Sequence, residues 1–315
     1  MPRLLYFNPE NDLALAANDP HYTPPASALR MATDLQLLPL HWAAPDDLIL
    51  LRDGSFIDAQ GHPSSLIPQP SPLPWGWSPL TVTDFLRAGV PASLLPTPEQ
   101  MQAFRTLAGR ATAAEVLAHL RARLSGAGYA DKIVGEAHVC HSIDEARRWH
   151  AQFRESIFKQ PWSGSGRGLL PVHDGLLTSK NEAWIARTLR QQGYVMVEPR
   201  YAKRLDFALE FWRHANGSVT YEGLSLFMTT PAGVYAGNIV DTEEGKRQRL
   251  SSWLPLSLLD ATREALIDEL SSLPPIFYEG SLGVDLLITA DGCLHPCVEI
   301  NFRMTMGWLA LNIKP

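Results

Sequence analysis

Cysteine is scarce in this chain: 315 residues contain three, Cys140, Cys293 and Cys297. Three thiols cannot build a disulfide framework for a protein of this length, and free thiols suit a reducing compartment. No apolar run approaches the length of a membrane span. The opening residues, Met1-Pro2-Arg3-Leu4-Leu5-Tyr6-Phe7, lack the apolar stretch and small-residue cleavage site of a secretory signal. Excess positive charge is missing as well. Lys and Arg number 27 against 33 Asp and Glu, a formal net charge of -6. That balance argues against a broad nucleic-acid or anionic-membrane surface. The expectation is a soluble cytoplasmic protein with neither nucleic acid nor membrane as partner.

Hydrophobic residues make up 45% of the chain, enough for two or three compact units. Leu4, Leu5, Tyr6 and Phe7 form a short apolar run that reaches a polar turn, Asn8-Pro9-Glu10-Asn11-Asp12. A strand there, a helix over 25–33 and a second buried strand over 35–40 predict a parallel α/β unit. Such a turn after a first strand is a favoured ligand position in open α/β sheets, though a plain turn explains it equally well. Prolines crowd the stretch 62–98, including Pro68, Pro70, Pro72, Pro74 and Pro79. Regular structure is expected to be sparse there, at a domain edge or packed connector. Helical patterns follow over 99–107 and 111–124. Ser142-Ile143-Asp144-Glu145 and Ser179-Lys180-Asn181-Glu182 both read as capping boxes, with Gly193 terminating the second helix. Strands are predicted over 156–160, 169–172, 194–198, 206–212, 219–226 and 234–239. A helix over 255–273 and strands over 283–288 and 294–301 complete a mixed α+β second half.

Two segments carry chemistry. In the first, a β-like run delivers Lys159, and Ser163, Gly164, Ser165, Gly166, Arg167 and Gly168 follow. Three glycines remove side chains so that backbone amides can approach phosphate oxygens, and Lys159 supplies a point charge. A Walker A loop needs Gly-Lys-Ser/Thr before a helix, and a Rossmann fingerprint also opens a helix; here the loop leads into another strand. A kinase-type glycine hairpin has its lysine after the loop, and neither His-Arg-Asp nor Asp-Phe-Gly occurs.

In the second segment, Asp285 lies on one strand of a hairpin whose turn is Ala290-Asp291-Gly292. On the returning strand Glu299, Asn301 and Arg303 stand two apart and so share a face. Two carboxylates and an amide oxygen are hard ligands suited to Mg²⁺, and Arg303 beside them can grip a phosphate or carboxylate. Cys293, His295 and Cys297 also alternate onto one face. With three donors and Pro296 among them, ordinary strand packing is the favoured reading over zinc.

In this order the two segments resemble the ATP-grasp superfamily, over residues of about 98–307. The resemblance implies an ATP-grasp fold preceded by a Rossmann-like domain. Its divisions would be 1–97, then 98–197 as helical connector and first lobe, then 198–315 as second lobe. It implies ATP and Mg²⁺ as cofactors, with the metal on Asp285, Glu299 and Asn301. Lys159 and the loop from Ser163 to Gly168 would hold phosphate, the hinge Glu198, Pro199, Arg200 and Tyr201 would face adenine, and Asp206 would meet the ribose. An earlier basic residue belongs on the α-phosphate; Arg105, Arg110 and Lys132 are all candidates, and Arg105 is carried forward. Arg303 and Arg249 are candidates for contact with the transferred phosphate or substrate; Arg249 stands in a basic cluster with Lys246 and Arg247. The implied activity is activation of a carboxylate as acyl phosphate and transfer to an amine or thiol. A small-molecule kinase and an ATP-binding module without ligation are the alternatives.

Overall fold

A computed structural model describes residues 2–313, apart from 68, 165, 166, 174 and 230–234. Among these residues the chain is a mixed α/β protein with three sheets laid out successively along the sequence.

The first sheet is built from β1 (Arg3–Tyr6), then, after α1 (Asn11–Ala17) and α2 (Ala26–Asp34), from β2 (Leu48–Leu50), β3 (Phe56–Asp58), β4 (Pro63–Ser64) and β5 (Ser71–Pro74). Its order is β4-β3-β2-β1-β5, with β1 parallel to β2 and to β5 and antiparallel steps from β2 outward. The apolar run expected as the second strand, 35–40, instead ends in a 3₁₀ turn, Leu38–His41, with Pro39 in its first turn. Proline brings no N–H to a central ladder, and the wholly buried Leu48-Ile49-Leu50 takes the place beside β1. The proline-dense stretch is also more regular than expected. Pro79 opens α3 (Pro79–Arg87) and Pro98 opens α4 (Pro98–Leu107), at first-turn positions where a missing N–H is harmless. Ser78 caps α3, and a box of Thr97 with Gln100 caps α4. The long α5 (Arg110–Leu124) follows.

The second sheet contains β6 (His138–Cys140), β7 (Ser156–Lys159), β8 (Leu169–Val172) and β9 (Val195–Pro199), with α6 (Ile143–His150) and α7 (Ser179–Gln192) between them. All its pairings are antiparallel, in the order β6-β9-β7-β8. Phe158, Ile185, Val195 and Val197 are buried together where the helices meet the sheet. Ser142 caps α6 through the Glu145 amide, while the Glu145 carboxylate reaches the His141 N–H at 2.7 Å. For α7 the cap is Thr178, one residue before the expected Ser179, and the box closes on Asn181 rather than Glu182. Asn and Thr complete the same reciprocal pair of bonds, so the device survives a one-residue shift.

The third sheet runs β12-β11-β10-β13-β14 and is antiparallel throughout. It comprises β10 (Lys203–Arg213), β11 (Val219–Thr229), β12 (Tyr235–Asn238), β13 (Gly280–Thr289) and β14 (Leu294–Asn301), with α8 (Glu243–Ser251) and α9 (Leu256–Ser272) inserted before β13. One face, with Phe207, Leu209, Phe211, Val284 and Leu286, joins α5 and α9 in the largest core. The chain ends its described course in α10 (Met306–Asn312), which sets Trp308 edge-on to Trp42 in the core behind the first sheet. None of the described helices is long and apolar enough to cross a membrane.

Phe104 of α4 ties these layers together. Fully buried, it stacks on Tyr278 at 5.3 Å and meets Phe277 and the Phe302 edge. Phe104→Ala is expected to destabilise the protein by about 3–5 kcal/mol, read as a lowered midpoint in urea unfolding.

Candidate functional site

The face of the third sheet opposite the core is polar by strand alternation. On β10, Asp206, Ala208 and Glu210 project away from Phe207, Leu209 and Phe211. On β13, Asp285 stands directly opposite Ala208 on one side and Glu299 of β14 on the other. Gly164 and Leu169, from the β7–β8 connection, close over this face. The resulting cavity, of about 360 Å³, is lined by both of them and by Asp206, Glu210, Asp285, Glu299, Asn301 and Arg303.

Like charges opposed across a ladder repel. Asp285 opens onto the cavity but is otherwise enclosed. Burial first, then the Glu299 carboxylate beside it, push its carboxyl up to about 7 against the pull of Arg303. Asn301 Nδ2 donates to Asp285 at 3.3 Å, and Asn301 Oδ1 accepts from Arg303 at 3.0 Å. Arg303 in turn donates to Asp12 of α1 at 2.8 Å. Burial opposes its charge, but Asp12, Glu299 and Asp285 together outweigh that opposition, so its pKa is raised. Arg303 stands there because the chain beyond β14 pairs with the end of the first sheet, through the Gly76–Arg303 bridge and the Met304 N–H on the Trp75 carbonyl.

Arg110, at the start of α5, joins the loop to the acidic strand. Its buried guanidinium donates to the Gln160 carbonyl at 2.5 Å, the Ser163 hydroxyl at 2.6 Å and Glu299 at 2.7 Å. Of the three basic candidates, it is the one bonded to both the glycine loop and the acidic strand. Arg105 lies flat over the Trp162 ring at 3.5 Å and donates to the Leu15 carbonyl. Lys132 makes a surface pair with Asp131. Arg249 pairs with Asp241 away from the cavity, and Arg247 with Asp260, while Lys246 donates to the Leu224 carbonyl.

Lys159 is buried in a 2.5 Å ion pair with Glu198, on the neighbouring strand β9. It does not line the cavity, but it lies behind it. Burial pushes the Cys297 thiol up, as do Asp285, Glu198 and Glu299, while Lys159 pulls it down, so both the Lys159–Glu198 pair and the acidic pair act on this buried sulfur. In the loop, Ser163 is buried on Arg110, Gly164 leaves no room for a Cβ beside Asp12, and Gly168 adopts φ +66. Arg167 is exposed; Ser165 and Gly166 lie outside the described residues. Along the expected hinge, Pro199 pairs with Ser156 and the Arg200 side chain turns outward to Glu155 at 2.9 Å. The Tyr201 hydroxyl accepts from Gly135 N–H at 3.2 Å, and its ring meets His295 edge-on. Asp206 lines the cavity in an ion pair with Lys203.

Among the described residues no three His, Cys, Asp or Glu side chains converge as a closed metal set, and Cys293, His295 and Cys297 do not form one. Asp285, Glu299 and the Asn301 amide offer an open set of hard oxygens facing a cavity. That donor chemistry fits a divalent cation which completes its shell from water and phosphate. The repulsion that Arg303 and Asn301 only partly offset at Asp285 is what such a cation would remove.

Glu210 escaped the sequence reading, although Asp206-Phe207-Ala208-Leu209-Glu210 has the alternation that reveals it. It is 1% exposed, and burial with Asp285 nearby pushes its carboxyl up to about 8. Asp12 was legible only as part of a turn. Of that turn, Asn8 is buried against Gly76 and Thr81, and Glu10 pairs with Arg52.

No protein-family model matches the chain, and no curated protein matches its sequence. Similar solved structures include D-alanyl-alanine synthetase A from Vibrio cholerae, at 14% identity and TM-score 0.49, covering 97% of this chain and 90% of that one. D-cycloserine synthetase DcsG is 15% identical, with TM-score 0.49 and coverage of 98% and 94%. N5-carboxyaminoimidazole synthetase from Staphylococcus aureus, complexed with ADP, is 16% identical at TM-score 0.41; the match covers 65% of this chain and 47% of that one. The chain thus spans about half the length of that last synthetase. These likenesses are too distant to bear on function, which has to be read from the site.

Folded-state pKa values of about 7 and 8 for Asp285 and Glu210 lie above their ordinary values of 3.8 and 4.5. The folded protein therefore holds more protons than the unfolded chain, and stability falls as pH rises through 7 and 8. His295, lowered to about 3 by burial and by Lys159, acts in the opposite sense only below its ordinary 6.5. Thermal melts in chelator between pH 6.5 and 8.5 are expected to show a falling Tm, with a smaller fall in Glu210→Gln.

Proposed function

We propose that this protein is an ATP-grasp-type ligase, in which the first sheet is a Rossmann-like preceding domain and the other two sheets form the lobes around ATP. The observation that carries the reading is the shared cavity: Gly164 of the glycine loop and the Asp285, Glu299, Asn301 set line the same space. Arg110, bonded to both sides, supports it.

ATP and a small-molecule acid are the substrates. The acid's carboxylate attacks the γ-phosphate in line, forming an acyl phosphate and releasing ADP; an amine or thiol then attacks the acyl carbon and expels phosphate. Catalysis of this kind is positioning and charge neutralisation, with no covalent nucleophile on the protein. Asp285, Glu299 and Asn301 would hold Mg²⁺, which supplies neutralisation of phosphate charge when bound. The Ser163–Gly168 loop covers the phosphates with backbone amides, and Arg110 stands where loop and acidic strand meet. Lys159, pre-positioned by Glu198, contributes positive charge from behind the loop. Backbone groups at Glu198–Tyr201 face the adenine, and Asp206 the ribose. Arg303, oriented by Asp12 and Asn301, receives the substrate carboxylate or transferred phosphate.

Glu299→Gln keeps an acceptor for Arg110 while removing the charge, so it tests the metal role without leaving a buried cation bare. ADP release with an acid-plus-amine panel is expected to fall about 100-fold or more, a loss typical of one electrostatic group at such a centre, with an unchanged far-UV spectrum. Wild-type turnover by the folded variant would refute the assignment. Lys159→Met is expected to weaken ATP binding at least about tenfold in calorimetric titration, the worth of one hydrogen bond to a charged group once Lys159 turns from Glu198 to phosphate; unchanged affinity would remove Lys159 from the phosphate site.

A further inference from the structure

We propose that Glu210 seats the attacking amino group of the acceptor substrate as an ammonium and takes its proton on Oε2, leaving the neutral amine to attack the acyl phosphate, so that the acceptor is an amine rather than a thiol; this rests on the ligase reading above. Glu210 Oε1 accepts from the Thr305 hydroxyl at 2.8 Å, and Oε2 has no partner among the described residues. The side chain is buried yet lines the cavity. It lies two residues along β10 from Ala208, the residue facing Asp285, which is one pleat repeat or about 7 Å beyond the carboxylate pair.

Two glycines make room for this carboxylate at the cavity wall. A Cβ on Gly283 would lie 2.8 Å from Oε2, and a Cβ on Gly307 would collide with Oε1 and with the Ser225 hydroxyl. Ser225 also accepts from Asn238 Nδ2 at 3.2 Å. An ammonium brings three donors to such a place, where Oε2 and Ser225 Oγ offer acceptors. A thiol brings one weak donor and no charge.

Charge balance favours the same class of ligand. The cavity is lined by Asp206, Glu210, Asp285 and Glu299 against Lys203 and Arg303. Both cations are already paired, Lys203 with Asp206 and Arg303 with Asp12. Glu299 has Arg110 behind it. At the far end, Glu210 forms no ion pair among the described residues, with Arg303 acting on it only from a distance, and a buried carboxylate so placed is costly. Met306, next to the Thr305 that bonds Glu210, lines this end, while Phe227 and Tyr235 line the cavity level with Asp206, so an apolar body extending from the amino group would run along the sheet toward them.

The test is equilibrium binding without nucleotide at pH 8.5, using primary amines from ethylamine to phenethylamine and the matching alcohols. Wild-type protein should bind at least one amine tenfold or more tightly than its alcohol. Glu210→Gln, which keeps the side chain's shape and the Thr305 bond, should abolish that preference while changing affinity for Mg²⁺ alone by less than threefold. Equal binding of amines and alcohols by the wild type overturns the proposal, and so does a preference that survives in folded Glu210→Gln. A tenfold loss of Mg²⁺ affinity in that variant also overturns it, making Glu210 a metal ligand. Should Glu210→Gln fail to fold, the wild-type comparison decides, with Ser225→Ala expected to weaken the preferred amine at least threefold. Neither ATP nor turnover enters these measurements, so a failure here is distinct from a failure of Glu299→Gln to affect ADP release.

Discussion

Asp285 and Glu299 face each other across adjacent strands, and the geometry of the site follows from holding those two carboxylates together. Left alone they would repel, so each is given a counterpart: Asn301 and Arg303 on one side, Arg110 on the other. Arg110 is also what joins the glycine loop to the sheet. A single buried guanidinium therefore couples the loop's position to the charge state of the acidic strand. Removing the Glu299 side chain altogether would act on both at once.

The first sheet takes part in the site through its edge. The chain after β14 lies against the end of β5, and this contact turns Arg303 toward α1 and Asp12. The same corner is tight: Gly76 leaves no room for a Cβ beside Asn11, and Gly164 none beside Asp12. α10 then returns to bury Trp308 against Trp42. Two runs of hydrogen bonds reach the cavity, Asp12–Arg303–Asn301–Asp285 from the first sheet and Ser163–Arg110–Glu299 from the second, and they meet where Asp285 and Glu299 face each other.

Where local patterning and packing pointed the same way, the elements were legible. The alternating strands after residue 150 and the helices over 99–107, 111–124 and 255–273 lie within a few residues of their expected ends. The failures have local causes. Leu35 to Leu40 is apolar enough for a strand, but only the choice of partner for β1 rejects it in favour of Leu48-Ile49-Leu50. Pro79 looked like a breaker and is an opener, because Ser78 precedes it. α1 and α10 are too short for periodicity to announce them.

The site divides along the same line. Side-chain parity on a strand is a local property, so the sequence by itself placed Glu299, Asn301 and Arg303 on one face and set Asp285 within reach. It also marked the glycine loop, because missing side chains need no context to be read. Ion-pair partners are chosen by distance between segments far apart in the chain. Only the tertiary structure decided that Arg110 rather than Arg105 or Lys132 enters the site, that Lys159 pairs with Glu198, and that Arg303 meets Asp12. It alone removed Glu210 from water, and with water went the screening that makes an acidic residue on a strand ordinary.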